Sequence, residues 1–168
     1  MTYDFVVDSM LGKLSRWLRV LGYSTFYDPR AADEELMRVA ASTGAVLLTR
    51  DRRLLRRAGA RGVRAVLVSG GDVSEVLAHL HRLLGVRLSI DLGRTRCSKC
   101  NAPLQKRAKS AVRGLVPDPV LRRYDVFLVC PRCGSVYWPG KHYRNMLEAL
   151  SRARALAGAA NPYLEQRR

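Results

Sequence analysis

Val46-Leu47-Leu48-Thr49-Arg50-Asp51-Arg52-Arg53-Leu54-Leu55 is a short apolar run that ends on a carboxylate and passes at once into a basic, leucine-bearing helix. Two other short apolar runs also end on aspartate, Phe5-Val6-Val7-Asp8 and Ser24-Thr25-Phe26-Tyr27-Asp28. Runs of this kind read as strands, and strands alternating with helices of roughly a dozen residues predict βαβ units. The fold class that follows is α/β, a parallel sheet covered by helices on both faces. Ligands and chemistry collect at the carboxyl ends of the strands in such a sheet. Several acids are therefore delivered to one edge.

Outward from this stretch, residues 10–21 carry apolar side chains at helical spacing. Met10, Leu11, Leu14, Trp17, Leu18 and Leu21 form one stripe, Lys13, Arg16 and Arg19 lie largely on another, and Gly22 marks the stop. Core packing is the plain reading of Trp17. Asp28-Pro29 breaks the second strand, since proline disfavours its continuation. Asp33-Glu34-Glu35 opens a helix running to about Thr43, and Gly44 ends it. The helix from Arg52 to Arg57 leads through Gly59 and Gly62 to a fourth strand at 63–68, and Gly70-Gly71-Asp72 turns into a helix at 73–84.

After Gly85 the character changes. Residues 86–96 read as an extended linker or edge segment, and 101–129 hold Pro103, Pro117 and Pro119 with little helical periodicity. A strand is expected at 126–129, a returning strand at 135–138, and a last helix from about His142 to Ala157 before a polar tail. The expected division is a domain over residues 1–90 and a smaller module over 91–168.

With 168 residues and 48% apolar content the chain can bury one core and carry a small appended module. No apolar run approaches the ~20 residues of a membrane span, and no leader is expected before the first strand, so a cytoplasmic setting with no membrane partner is anticipated. The net charge is +16, with 14 basic and 9 acidic residues in 1–90 against 16 and 5 in 91–168. Arginine far outnumbers lysine, which favours forked contacts to phosphate. Such an excess implies a polyanionic partner, most simply nucleic acid; a membrane surface or a crowded thermophilic cytosol would also favour it, and a merely solvating basic surface is the plainer alternative.

The four cysteines stand as two pairs, Cys97-Ser98-Lys99-Cys100 and Cys130-Pro131-Arg132-Cys133. Two Cys-x-x-Cys turns flanked by strand-like segments suit one structural Zn²⁺ held by four thiolates, with redox thiol pairs as the alternative. The 29 residues between the pairs exceed the usual ~15–20, which an insertion in a ribbon loop explains.

The acids suit hard divalent ions, which prefer oxygen ligands and can activate water for phosphodiester hydrolysis. Asp8, Asp33 and Asp51 form the core set for Mg²⁺ or Mn²⁺; Asp28, Glu34, Glu35 and Asp72 are further candidates. Each has a structural competitor: Asp33 and Asp51 as helix caps, Glu34 and Glu35 as first-turn acids, Asp28 as part of an Asp-Pro turn. Ser9 and Thr49 adjoin two of the acids and are placed to orient a carboxylate or a water, with helix capping an equal reading of Ser9. Lys13, Arg16, Arg50, Arg52 and Arg53 would surround the acids and hold nucleic-acid phosphates. His79, His81 and His142 show no ligand pairing and are assigned to surface or packing.

The run Asp8-Ser9-Met10-Leu11-Gly12-Lys13-Leu14-Ser15-Arg16-Trp17-Leu18-Arg19, followed by Leu21-Gly22-Tyr23, resembles the Mut-seven C-terminal RNase domain family. So do Tyr27-Asp28, Asp33-Glu34-Glu35-Leu36, Leu47-Leu48-Thr49-Arg50-Asp51, the two cysteine pairs and Val136-Tyr137-Trp138. The resemblance implies a PIN-like nuclease domain followed by a zinc ribbon and C-terminal helix. It also implies Mg²⁺- or Mn²⁺-dependent cutting of RNA, with Asp8 as the first-strand acid, Asp33 as the acid opening the middle helix and Asp51 as the acid of the Thr-Arg-Asp motif. Glu34, beside Asp33, joins the expected catalytic set. RNA is the expected partner, with a ribosome or other ribonucleoprotein as its setting; a non-catalytic RNA- or ribosome-binding protein of PIN-like shape is the rival expectation, and a toxin-like PIN protein a weaker third.

Overall fold

The computed structural model describes residues 2–158. Four strands, β1 (Phe5–Val7), β2 (Thr25–Phe26), β3 (Val46–Thr49) and β4 (Ala65–Leu67), form a parallel sheet in the order β2-β1-β3-β4. The expected α/β class is borne out. β1 and β3, the strands that end at Asp8 and Thr49, lie side by side at its centre, with Val7 in register with Leu48.

Alternation along the strands sorts the core into two layers, because successive side chains point to opposite faces. Phe5, Val7, Val46 and Leu48 pack with α1 (Gly12–Val20) and α4 (Val73–Leu84) on one face. Val6 and Leu47 pack with α2 (Asp33–Thr43) and α3 (Arg52–Ala60) on the other. Both faces being covered, the central strands read as continuous apolar runs rather than alternating ones.

Some details depart from the sequence reading. Ser9–Leu11 form a single 3-10 turn ahead of α1, and this turns Met10 out to 60% exposure instead of into the apolar stripe. The α3 helix continues through Gly59 to Ala60. Arg19, placed on the polar stripe, is buried. Gly12 lies under the end of the Tyr27 side chain: a Cβ there would lie 2.4 Å from the Tyr27 hydroxyl, so the ring would have to move.

The second sheet is antiparallel, β5 (Gln105–Arg107), β6 (Phe127–Val129) and β7 (Val136–Tyr137), in that order. The proline-rich segment between β5 and β6, expected to be irregular, contains two short helices, α5 (Lys109–Val112) and α6 (Asp118–Arg123). Val112 and Val116 meet Phe127 in a small core, with Tyr124 and Trp138 against it, so the insertion supplies apolar packing that a bare ribbon lacks. Val86 and Leu88 of the connecting segment pack into the main core, and Arg87 lies over the Tyr23 ring at 4.7 Å.

The last helix, α7 (Lys141–Gly158), follows the ribbon in sequence but packs on α4. Met146, Leu150 and Ala153 join the main core, and Ser74 Oγ donates to the Ala149 carbonyl at 3.0 Å. Arg152 reaches Asp72 at 2.9 Å. No described helix is long and apolar enough to cross a membrane.

Candidate active site and metal centre

Asp8 sits immediately past β1 and is 6% exposed. Its backbone N–H donates to the Leu48 carbonyl, extending the β1–β3 ladder by one residue. Its carboxylate accepts from Thr49 Oγ1 at 2.6 Å and from Ser9 Oγ at 3.3 Å. Thr49 is fully buried, and its hydroxyl oxygen in turn accepts from the Asp51 N–H at 2.9 Å. One threonine therefore ties the two strand-end acids together, the orienting role anticipated for it. Asp8 has no basic partner among the described residues; two neutral hydroxyls are its side-chain contacts. A buried carboxylate without a counter-ion suits a cation site.

Asp51 caps α3 through the Arg53 N–H at 2.6 Å, which occupies one of its oxygens. The cap and a metal ligand are compatible uses of one carboxylate, since the second oxygen remains. Asp33 is the first residue of α2 and not its cap, which falls on Ala32. Its carboxylate pairs with Arg57 at 2.7 Å, and Glu34 pairs with both Arg57 and Arg61. The hydrogen bond from Arg61 is the main cause holding the Glu34 carboxyl below its ordinary range. The structure thus joins Asp8 to Asp51 and engages Asp33 and Glu34 in an ion-pair cluster between α2 and α3.

The further acids have local duties. Asp28 accepts from the Arg30 N–H at 2.8 Å in its Asp-Pro turn, Glu35 pairs with Arg38, and Asp72 caps α4 through Ser74 and Glu75. Of the expected phosphate-binding cations, Arg50 donates to the Gly70 carbonyl, while Arg52 and Arg53 are exposed. Lys13 and Arg16 point elsewhere, into a cleft between α1 and the ribbon. His79 and His81 contact backbone carbonyls, of Leu67 and Val86.

The four cysteines do converge. Their sulfur atoms all lie within 4.8 Å of one another, with Cys97 and Cys133 at 3.5 Å and Cys100 and Cys130 at 3.4 Å. Thiolates at about 2.3 Å from a tetrahedral Zn²⁺ stand about 3.8 Å apart, so the donor set fits zinc. Burial pushes the Cys100 thiol up to about 12, while hydrogen bonding from Ser135 brings Cys133 down to about 6. Four sulfurs this close cannot all ionise without a cation between them, which the ion supplies. Among the described residues these four form the one cluster of metal-ligating side chains that meets this spacing; Asp8, Asp33 and Asp51 do not.

Each cysteine pair ends in a turn whose next residue has positive φ, Asn101 (67°) and Gly134 (72°). Asn101 has a second duty: its Oδ1 accepts from the Thr25 N–H at 3.0 Å, covering the edge of β2. Arg19 completes the junction. Its guanidinium donates to the Thr25 carbonyl on β2 and to the Ser98 and Lys99 carbonyls in the first cysteine turn, at 3.0–3.1 Å. Burial draws its pKa down, yet a guanidinium remains protonated at any working pH. Neither residue stood out in the sequence, because a lone arginine on a helix gives no sign of which chain segment will cover it.

The comparison with family models is decisive at this point: the model of the Mut7-C RNAse domain matches residues 3–150. The chain belongs to the Mut7-C RNAse domain family. The match takes in the parallel sheet, both cysteine turns and the start of α7, so the family unit includes the metal centre as well as the acids. Membership in the Mut7-C family points to a ribonuclease-type function. No curated protein and no solved structure is similar enough to the chain to count as a match.

Proposed function

We propose that this Mut7-C chain is a metal-dependent ribonuclease centred on Asp8 and Asp51. The observation that carries the reading is Asp8, a buried carboxylate at the carboxyl end of a central strand, held by Thr49 and with no basic partner among the described residues. Burying a charge in this way is costly unless it serves a ligand. Asp8 and Asp51 would hold a hard divalent ion, with Asp33 joining on leaving Arg57. When bound, such an ion lowers the pKa of a water molecule and neutralises charge on the scissile phosphate. The protein's own part is to orient the Asp8 carboxylate through Thr49 and Ser9, and to seat neighbouring phosphates on Arg52 and Arg53. The ribbon, bearing the larger share of positive charge, adds affinity for RNA.

A second reading has its own observation. Asp33 and Glu34 are ion-paired to Arg57 and Arg61, which favours a non-catalytic RNA-binding protein of the same shape. Cleavage of single-stranded and structured RNAs with Mn²⁺, Mg²⁺ or neither, by wild type beside Asp8→Asn, separates the two. The ribonuclease reading expects metal-dependent cleavage that drops at least ~100-fold in the variant, with RNA affinity retained. Wild-type binding without turnover under any metal supports the binding protein. Cleavage undiminished in Asp8→Asn sinks the proposed centre.

A further inference from the structure

Between α1, the ribbon and the start of α7 lies a cleft of about 960 Å³ whose lining has an unusual chemistry. The chain has two tryptophans, Trp17 and Trp138, and both line it, together with Tyr137 and Tyr143. Its cations are Lys13 and Arg16 from α1, Arg96 from the connecting segment and Lys141 from α7. Among the described residues no aspartate or glutamate lines it. Arg96 donates to the Asn101 carbonyl, whereas Lys13, Arg16 and Lys141 make no ion pair among the described residues.

We propose that this cleft holds an unpaired stretch of nucleic acid, with bases stacked on Trp138 and Tyr143 and phosphates on Lys13, Arg16 and Lys141. Aromatic faces beside uncompensated cations are the means by which single strands are gripped without sequence readout. A duplex presents phosphates but keeps its bases stacked on each other, so it has no use for the indole and phenol rings. An apolar protein segment would use the rings but leave three cations unmatched. The wall residue Gly12 lies four residues along the chain from Asp8, with the Tyr27 hydroxyl packed on Gly12 and donating to the Ser9 carbonyl, so one wall of the cleft is continuous in the chain with the segment that bears Asp8. The inference rests on the reading of RNA as substrate, and it narrows that substrate to RNA with a single-stranded segment.

Because both tryptophans line the cleft, their emission reports on it directly. The probe is a uridine 12-mer without added Mg²⁺ or Mn²⁺, compared with an RNA duplex of equal length, and a labelled 12-mer gives affinity by anisotropy. The expected result is saturable quenching by the 12-mer and at least tenfold weaker binding of the duplex. Tyr143→Ala and the double variant Lys13→Ala/Lys141→Ala should each weaken 12-mer binding about tenfold. Trp138→Phe, which retains a stacking ring, should bind within about twofold of wild type yet lose most of the quench. Equal affinity for duplex and single strand, or binding of the 12-mer without quenching, overturns the proposal. So does quenching by an amphipathic helical peptide but not by the 12-mer, which assigns the cleft to a protein partner. Quenching without cleavage by wild type would retain this site and remove the ribonuclease reading; cleavage without quenching would do the reverse.

Discussion

At the scale of single residues, Asp8 and Arg19 carry opposite lessons. Asp8 was legible in the sequence because a strand-end acid is set by local pattern: an apolar run must stop where the buried sheet stops. Arg19 was not legible, since its helical position on the basic stripe is covered only when the first cysteine turn folds over it. Its guanidinium now satisfies carbonyls of β2 and of that turn, and removing it leaves the Thr25 carbonyl buried without this charged donor and strips the outer carbonyls of Ser98 and Lys99 of theirs. Arg19→Ala should therefore destabilise the protein by about 3 kcal/mol. A thermal melt should show a fall of roughly 6–12 °C for a chain of this size. The same variant should release zinc faster to a chelator, measured by a chromogenic zinc indicator, because Arg19 braces the turn that bears Cys97 and Cys100. An unchanged release rate would show that the turn stands without this brace.

At the scale of elements, helix ends hold much of the architecture. Asp51 and Asp72 are true caps of α3 and α4, as first-turn chemistry predicts, whereas Asp33 is not a cap and is paired with Arg57 instead. The Asp72 carboxyl is held below its ordinary value of 3.8, first by the Glu75 N–H, then by Ser74 and by Arg152 of α7. A folded-state pKa lower than the unfolded one gives stability that is present above the unfolded value and is lost as pH falls through the folded one. The melting temperature of wild type minus that of Asp72→Asn, which keeps a cap acceptor but not the charge, should be constant above about pH 5 and shrink below about pH 4. A difference that grows with acid would place the effect on another group. The α7 helix itself was legible from its periodicity, but its docking on α4 was not: an amphipathic stripe states that a face is buried and not against what.

At the scale of the whole molecule, the charge of +16 is the dominant fact. Thirty lysines and arginines face fourteen acids, several of which are engaged at caps or in ion pairs, so much of the basic surface is left uncompensated. Association with RNA should accordingly be strongly salt-dependent. A footprint of about six phosphates on a single strand gives a slope of about −4 in log K against log salt, so affinity should fall roughly 250-fold between 50 and 200 mM salt. Anisotropy across a salt series measures it, and a flat series would mean that the charge is merely solvating. The four-cysteine cluster and the sheet act as one body in this picture, because Arg19 and Asn101 fix the first cysteine turn on the edge strand β2.

By itself the sequence determined the α/β class, the acids Asp8 and Asp51 just past two strands, and the four zinc-type ligands. Each depends on short-range pattern: the period of burial in a strand, the turn that follows it, and the two-residue spacing that lets paired thiols face one ion. Tertiary structure alone decided the rest. It joined Asp8 to Asp51 through Thr49, diverted Asp33 and Glu34 into ion pairs, buried Arg19, and brought Lys13, Trp17, Trp138 and Lys141 from distant parts of the chain to one cleft. The physical reason is common to all of these: a side chain's partner across the fold is set by how elements pack, and packing leaves no local trace in the residues on either side.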